Sequence, residues 1–347
     1  MMTRQEALLT AVSVVITLSA GEVASRLLLR RPVRLSDRHN GAPAVPVHVA
    51  DPELGWKIPV GNAVYRFHAT GAKGSVDVHY SIQDGHRATA AQPVQGPLLI
   101  AAGCSFTFGL GLDDQDTWPW ILQERLPEYH VVNTGTNGYG TDQALIAADR
   151  AALESKEPVR LVVLWFGDFH IERNRSTQGV IFFPYPMGKP LFVEDGNGIK
   201  SRGLVHFWYP GSLLEHSALV MTAANRMGNM MNRVPSHDGA REVTVRLMRE
   251  YAKRFQARGT QLAVVIVPHG GDPIPQSKAD RRFVEERLRA AGIPVLIPQL
   301  PRMPDGRLDE ERFLIPSDRT HPNREYNRLV ADQMTAFLKD AKLARLR

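Results

Sequence analysis

The chain has 347 residues, 43% hydrophobic and 22% charged, a globular composition long enough for one large core or two modest ones. Its formal charge of +6 comes from arginines spread along the chain without a basic stripe or a nucleic-acid motif, so nucleic acid is not an expected partner. The single cysteine, Cys104, excludes an intramolecular disulfide and a cysteine-built metal site.

Residues 7–20 are apolar apart from Thr10, Ser13, Thr17 and Ser19, and 21–29 extend the run with Glu22 and Arg26 one helical turn apart. The stretch reads as an uncleaved signal anchor, a transmembrane helix within residues 1–34, with the membrane as its partner. Arg26, Arg30, Arg31 and Arg34 outnumber Arg4, and that charge bias alone favours a cytoplasmic body. Long soluble bodies cross with limited regard to flanking charge, and the expected location of the body is periplasmic.

Residues 35–95 read as a linker followed by a small β-rich leader. Val76, Val78, Tyr80 and Ile82 alternate with polar residues, the period of a half-buried strand, with 64–68 as partner and 71–74 as the turn. His68, His79 and His86 lack regular ligand spacing, and no metal is expected.

From residue 97 strands and helices alternate. Strands are expected at Leu98–Ala102, His130–Asn133, 161–166, Gln261–Val267 and 293–297. The fold class is α/β, a three-layer α/β/α sandwich with a five-stranded parallel, flavodoxin-like sheet over residues 96–347. Thr117 and Pro119 mark one helix start, and further helices are expected from Asp142 and over 213–231, 242–258, 278–291 and 324–339. Residues 176–237 are too many for a simple crossover and read as an insertion. Phe182, Phe183, Tyr185, Phe192, Phe207, Trp208 and Tyr209 there suit either core packing or stacking on sugar rings.

Two short stretches suggest chemistry. Ser105 lies in the small-residue loop 103–109 at the carboxyl end of the first parallel strand, where ligands collect in open α/β sheets, although small residues also fill tight turns for steric reasons. Asp318 and His321 are three residues apart in a turn entering a helix. That spacing lets a carboxylate hold one imidazole nitrogen while the other faces a nucleophile; the alternative is a turn cap beside an exposed histidine.

Gly103-Cys104-Ser105-Phe106, then Asn133-Thr134-Gly135-Thr136-Asn137-Gly138, then Asp318-Arg319-Thr320-His321-Pro322 together resemble the SGNH, or GDSL, hydrolase family over residues 97–342. The resemblance implies Ser105 as nucleophile, His321 as general base and acid, and Asp318 as its orienter. It further implies an oxyanion hole built from the backbone N–H groups of Ser105 and Gly138, and no cofactor.

The chain departs from that pattern twice. Cys104 stands where the family usually has aspartate, and reads as a small packing residue. Where the third block normally supplies an asparagine, the chain has Gly167-Asp168-Phe169-His170, leaving His170 or Asn174 to supply the third donor. The expected activity is hydrolysis of O-acyl or O-acetyl esters through an acyl-enzyme, on a cell-envelope or secreted polysaccharide. Two alternatives share these residues: an acyltransferase using the same triad, and a catalytically silent carbohydrate-binding or assembly protein.

Overall fold

The computed structural model describes residues 3–28, 48–71, 73–176, 188–196, 198–205, 216–267, 275–341 and 343. The chain opens with a helix, α1 (Arg4–Leu28), long and apolar enough to cross a membrane and carrying Leu9, Val15 and Ile16 more than half exposed. Two short strands, β1 (Val49–Asp51) and β2 (Gly55–Lys57), pair antiparallel. They are followed by a hairpin, β3 (Ala63–Gly71) and β4 (Gly74–Gln83), and by the two-residue β5 (His86–Arg87).

The α/β region begins with β6 (Leu98–Ala102), buried at every position as a strand covered on both faces must be. Chain order then gives α2 (Ser105–Phe108), α3 (Trp118–Arg125), β7 (His130–Asn133), α4 (Thr141–Glu154), β8 (Val159–Gly167) and α5 (Phe169–Asn174). The insertion contributes β9 (Lys189–Asp195), β10 (Gly198–Val205) and α6 (Ala218–Met231). The chain returns through α7 (His237–Gln256), β11 (Gln261–Val267), α8 (Pro275–Ala290), β12 (Val295–Leu296), α9 (Glu310–Phe313) and α10 (Arg324–Asp340).

The main sheet runs β12-β11-β8-β6-β7-β5-β4-β3. Its first five strands pair parallel in the doubly wound order of a flavodoxin-like sheet. The sheet is larger than expected. β5 joins β7 antiparallel through Arg87 and Asn133, and β4 and β3 continue outward, so the leader hairpin extends the same eight-stranded sheet. Period-2 alternation reveals which face of a strand is buried but not which strand lies beside it. The helices pack in two groups, α3 against α10, and α4 against α7 with α7 against α8. The helix expected from 213 begins at Ala218, and 213–215 lie outside the described residues.

The insertion is tied to the body by a wholly buried ion pair between Lys189 on β9 and Asp142 on α4. Phe192 packs into the main core; the other six aromatic residues named above lie outside the described residues.

Candidate active site

Ser105 is the first residue of α2, a single turn entered directly from β6. The amides of Thr107 and Phe108 donate to the Cys104 carbonyl at 3.0 and 2.9 Å, and Gly109 N–H donates to the Ser105 carbonyl at 2.9 Å. This turn puts the Ser105 hydroxyl at the carboxyl edge of the sheet with 4% of the residue exposed.

Arg87 holds the far end of the turn. Its guanidinium is fully buried, pairs with Asp114 at 2.7 Å, and donates to the carbonyls of Phe108, Gly109 and Leu112 at 3.0, 3.0 and 2.6 Å. Burial lowers its pKa, opposed by the Asp114 charge.

The histidine arrives on a second turn, closed by the Ile315 amide donating to the His321 carbonyl at 2.9 Å. Asp318 Oδ1 accepts the backbone N–H of Thr320 at 2.8 Å and of His321 at 3.1 Å. Its Oδ2 lies 2.5 Å from His321 Nδ1, and His321 Nε2 lies 2.9 Å from Ser105 Oγ. A carboxylate only accepts, so Nδ1 carries the proton and the neutral ring offers Nε2 to the serine O–H. Phe106 packs edge-on against the imidazole, centroids 5.3 Å apart. Burial opposes ionisation of Asp318, but the hydrogen bonds from His321 and the two amides outweigh it and lower the carboxyl to about 2.

Gly138 sits in the loop after β7 with φ of 79°, a left-handed conformation that favours glycine. That loop lies against the serine turn, since Thr136 N–H donates to the Gly103 carbonyl at 3.4 Å and Asn133 Nδ2 to the Thr107 carbonyl at 2.9 Å. Trp56 on β2 covers the loop, its indole N–H donating to the Asn137 carbonyl at 2.9 Å and its own carbonyl accepting from Tyr139 O–H at 2.7 Å. The Asn137 side chain is buried, and both its oxygen and its nitrogen lack a partner among the described residues.

In the third block, Asp168, His170 and Asn174 each meet a side chain from another part of the chain. Asp168 is buried at the end of β8, with Oδ2 paired to Arg281 Nη1 at 3.1 Å and Oδ1 without a partner among the described residues. His170 is enclosed between Phe166 and Phe169, with Nδ1 3.4 Å from Thr141 Oγ1. Asn174 Nδ2 donates to Thr244 Oγ1 at 2.6 Å, and its Oδ1 accepts from Asp142 N–H at 3.3 Å. Both candidate donors are therefore engaged with α4 or α7.

Arg173, which nothing in the sequence marks, lies among these loops. It donates to the Tyr139 carbonyl at 2.9 Å and lies over the Phe169 ring at 4.4 Å. Burial lowers its pKa, opposed by Cys104. One guanidinium thus joins the residue after Gly138 to the Phe169 ring. Among the described residues no group of three His, Cys, Asp or Glu side chains is arranged to hold a metal ion.

No family model and no curated protein matches the chain. Several solved structures are similar to it. One is a protein assigned to the lipolytic G-D-S-L family from Desulfitobacterium hafniense, at 14% identity over 70% of this chain and 100% of that one, TM-score 0.42. Others are the psychrotrophic esterase EstA from Pseudoalteromonas sp. (13% identity, 71% and 98% covered, TM-score 0.41) and the acetyl xylan esterase AlAXEase (14%, 69% and 98%, 0.40). In this chain Ser105 follows the first parallel strand, Gly138 the second and Asp168 the third, and Asp318 and His321 precede the last helix.

Proposed function

We propose that the protein is a membrane-tethered serine esterase that removes O-acyl groups through an acyl-enzyme. The observation that carries this reading is the continuous hydrogen-bonded line from Asp318 Oδ2 through His321 to Ser105 Oγ, with contacts of 2.5 and 2.9 Å. His321 takes the serine proton as Oγ attacks the ester carbonyl, then returns it to the leaving alcohol; water, activated in the same way, releases the acid. Asp318 stays ionised, fixes the tautomer and stabilises the imidazolium. The N–H groups of Ser105 and Gly138 hold the oxyanion, each worth about 3 kcal/mol in the transition state.

The substrate in this reading is an O-acetylated or O-acylated polysaccharide of the cell envelope or a secreted one, and the body lies on the periplasmic side. The apolar α1 and the aromatic-rich segment 176–237 favour it.

The test uses the full-length protein in detergent with short-chain acyl esters and an active-site serine phosphonate. Hydrolysis and stoichiometric labelling are expected, and Ser105→Ala abolishes labelling and lowers kcat by about 10⁴ or more. Labelling that persists in Ser105→Ala, or no turnover and no labelling of the wild-type chain, overturns the reading.

A further inference from the structure

Among the described residues, the apolar N-terminal helix is fastened to the start of α6. Glu22 accepts the backbone N–H of Ala218 at 3.0 Å and of Leu219 at 2.9 Å, and the hydroxyl of Ser217 at 2.8 Å, so a carboxylate of α1 closes the first turn of α6. Arg26 completes the joint, donating to Glu22 at 2.6 Å and to the His216 carbonyl at 3.2 Å. Gly21 lets Leu219 come close, since an added Cβ would lie 3.2 Å from Leu219 Cδ2.

The joint falls at a defined depth. From Arg4 to Glu22 the helix rises about 27 Å, close to the roughly 30 Å of a bilayer's hydrocarbon core. If Arg4 marks one membrane face, Glu22 and Arg26 mark the other, and α6 starts at the headgroups.

From there α6 buries Met221 and Ala224 and exposes Met227, Met230 and Met231 at 50%, 77% and 75%. The three share one stripe of the helix, being three and four residues apart. Arg226 and Arg233 are exposed nearby. No described residue covers this stripe, and a bare methionine stripe does not by itself choose a partner. The joint does, because it holds the start of the stripe's helix at the depth where lipid headgroups begin.

We propose that α6 lies along the bilayer surface, its Met227, Met230 and Met231 stripe set into the boundary between headgroups and acyl chains, and Arg226 and Arg233 against anionic lipid phosphates. The partner is the lipid surface itself. Anchor and insertion then grip the membrane together, and the body is held in one attitude against it. The inference rests on the membrane tether proposed above.

The test places single cysteines in the full-length protein at Val12 in α1, at Met230 and at Leu153 on α4, the native Cys104 being buried. Each is labelled with a small fluorophore after reconstitution into vesicles of phosphatidylethanolamine and phosphatidylglycerol. Lipid-borne nitroxides are expected to quench the labels at 12 and 230 severalfold more than the label at 153, and aqueous iodide to reach 153 severalfold better than 230. Iodide access at 230 equal to that at 153 overturns the proposal. So does a label at 230 shielded from iodide yet unquenched by lipid, which identifies a protein, such as a second copy of this chain, as the cover. A label at 12 that lipid does not quench removes the tether as well, and so separates the two failures.

Discussion

Gly71, at the tip of the β3–β4 hairpin, packs so closely on Ser317 that a Cβ at position 71 would lie 1.8 Å from the Ser317 carbonyl oxygen. Gly74 brings the same hairpin against Pro316. Ser317 immediately precedes Asp318, so the leader hairpin is a backstop for the turn that carries Asp318 and His321. Gly71→Ala is expected to push that turn aside and lower kcat by about tenfold to a hundredfold, since displacements near 1 Å have such effects. Lys73→Ala, which removes only an exposed pair with Glu311, is the matched control and should change kcat less than twofold. Equal effects of the two substitutions would show that the contact does not govern the turn.

Arg173 ties the residue after Gly138 to the Phe169 ring on α5, so it steadies the loop that carries one proposed oxyanion donor. Arg173→Gln keeps a donor but loses the planar fork. A fall in kcat of about tenfold or more is expected, with KM within about twofold, because the loss is felt in the transition state. Arg173→Lys should rescue little, since a point charge does not reproduce several directed bonds. A rise in KM at constant kcat would instead assign Arg173 to substrate binding.

Asn137 presents the opposite case, a buried amide with no partner among the described residues, next to Gly138. Leaving such a group unsatisfied costs about 1–3 kcal/mol. If the amide is kept for the oxyanion, Asn137→Leu, which keeps the branched shape without polar atoms, removes the unsatisfied amide while kcat falls by about 10²–10³. Denaturant midpoints and kcat measured on the same samples check both halves. Full activity in Asn137→Leu removes the amide from the oxyanion hole.

The parallel strands were legible because buried strands are short continuous apolar runs, and β6, β7 and β11 fall at the residues the pattern indicates. The loop that carries Ser105 was legible because small residues punctuate the chain where β6 ends. Long-range partners were not. Nothing in the sequence singles out Arg87 in the leader, yet it is buried with its charge and donors matched to Asp114 and four carbonyls. Gly71 reads as a hairpin turn, whereas its importance comes from Ser317 in a distant part of the chain. Asn174 reads as a free amide that could fold back, but Thr244 on α7, seventy residues onward, already holds it.

Arg87→Met tests how much that buried charge contributes. The substitution fills the space but leaves the Asp114 carboxylate with only the Ser81 N–H and takes the donor from the carbonyls of Phe108, Gly109 and Leu112. Removing one partner of a buried pair costs about 3–5 kcal/mol, which is the loss of unfolding free energy expected in urea. A loss below about 1 kcal/mol, typical of an exposed pair, would mean that water replaces the guanidinium.

Asp318 gives the stability a defined acid limb. The carboxyl has a value of 3.8 in the absence of the fold and about 2 within it. Well above 3.8 it is charged in both folded and unfolded chains, and its full contribution to stability is present. As pH falls through 3.8 the unfolded chain binds a proton that the folded chain still refuses, and the contribution shrinks until it is gone below about 2. Unfolding free energy measured from about pH 5 down to pH 2 should therefore fall less steeply in Asp318→Asn than in the wild type, with the two curves parallel above about pH 5. Activity provides the second readout. Because the wild-type carboxylate persists throughout the ordinary assay range, Asp318 contributes no acid limb to kcat/KM there. Asp318→Asn instead lowers kcat by about 10⁴ at every pH, by letting the imidazole take the tautomer that cannot accept the serine proton. Parallel stability curves down to pH 2 would separate Asp318 from the fold's acid sensitivity, and a kcat within tenfold of wild type would remove it from the proton path.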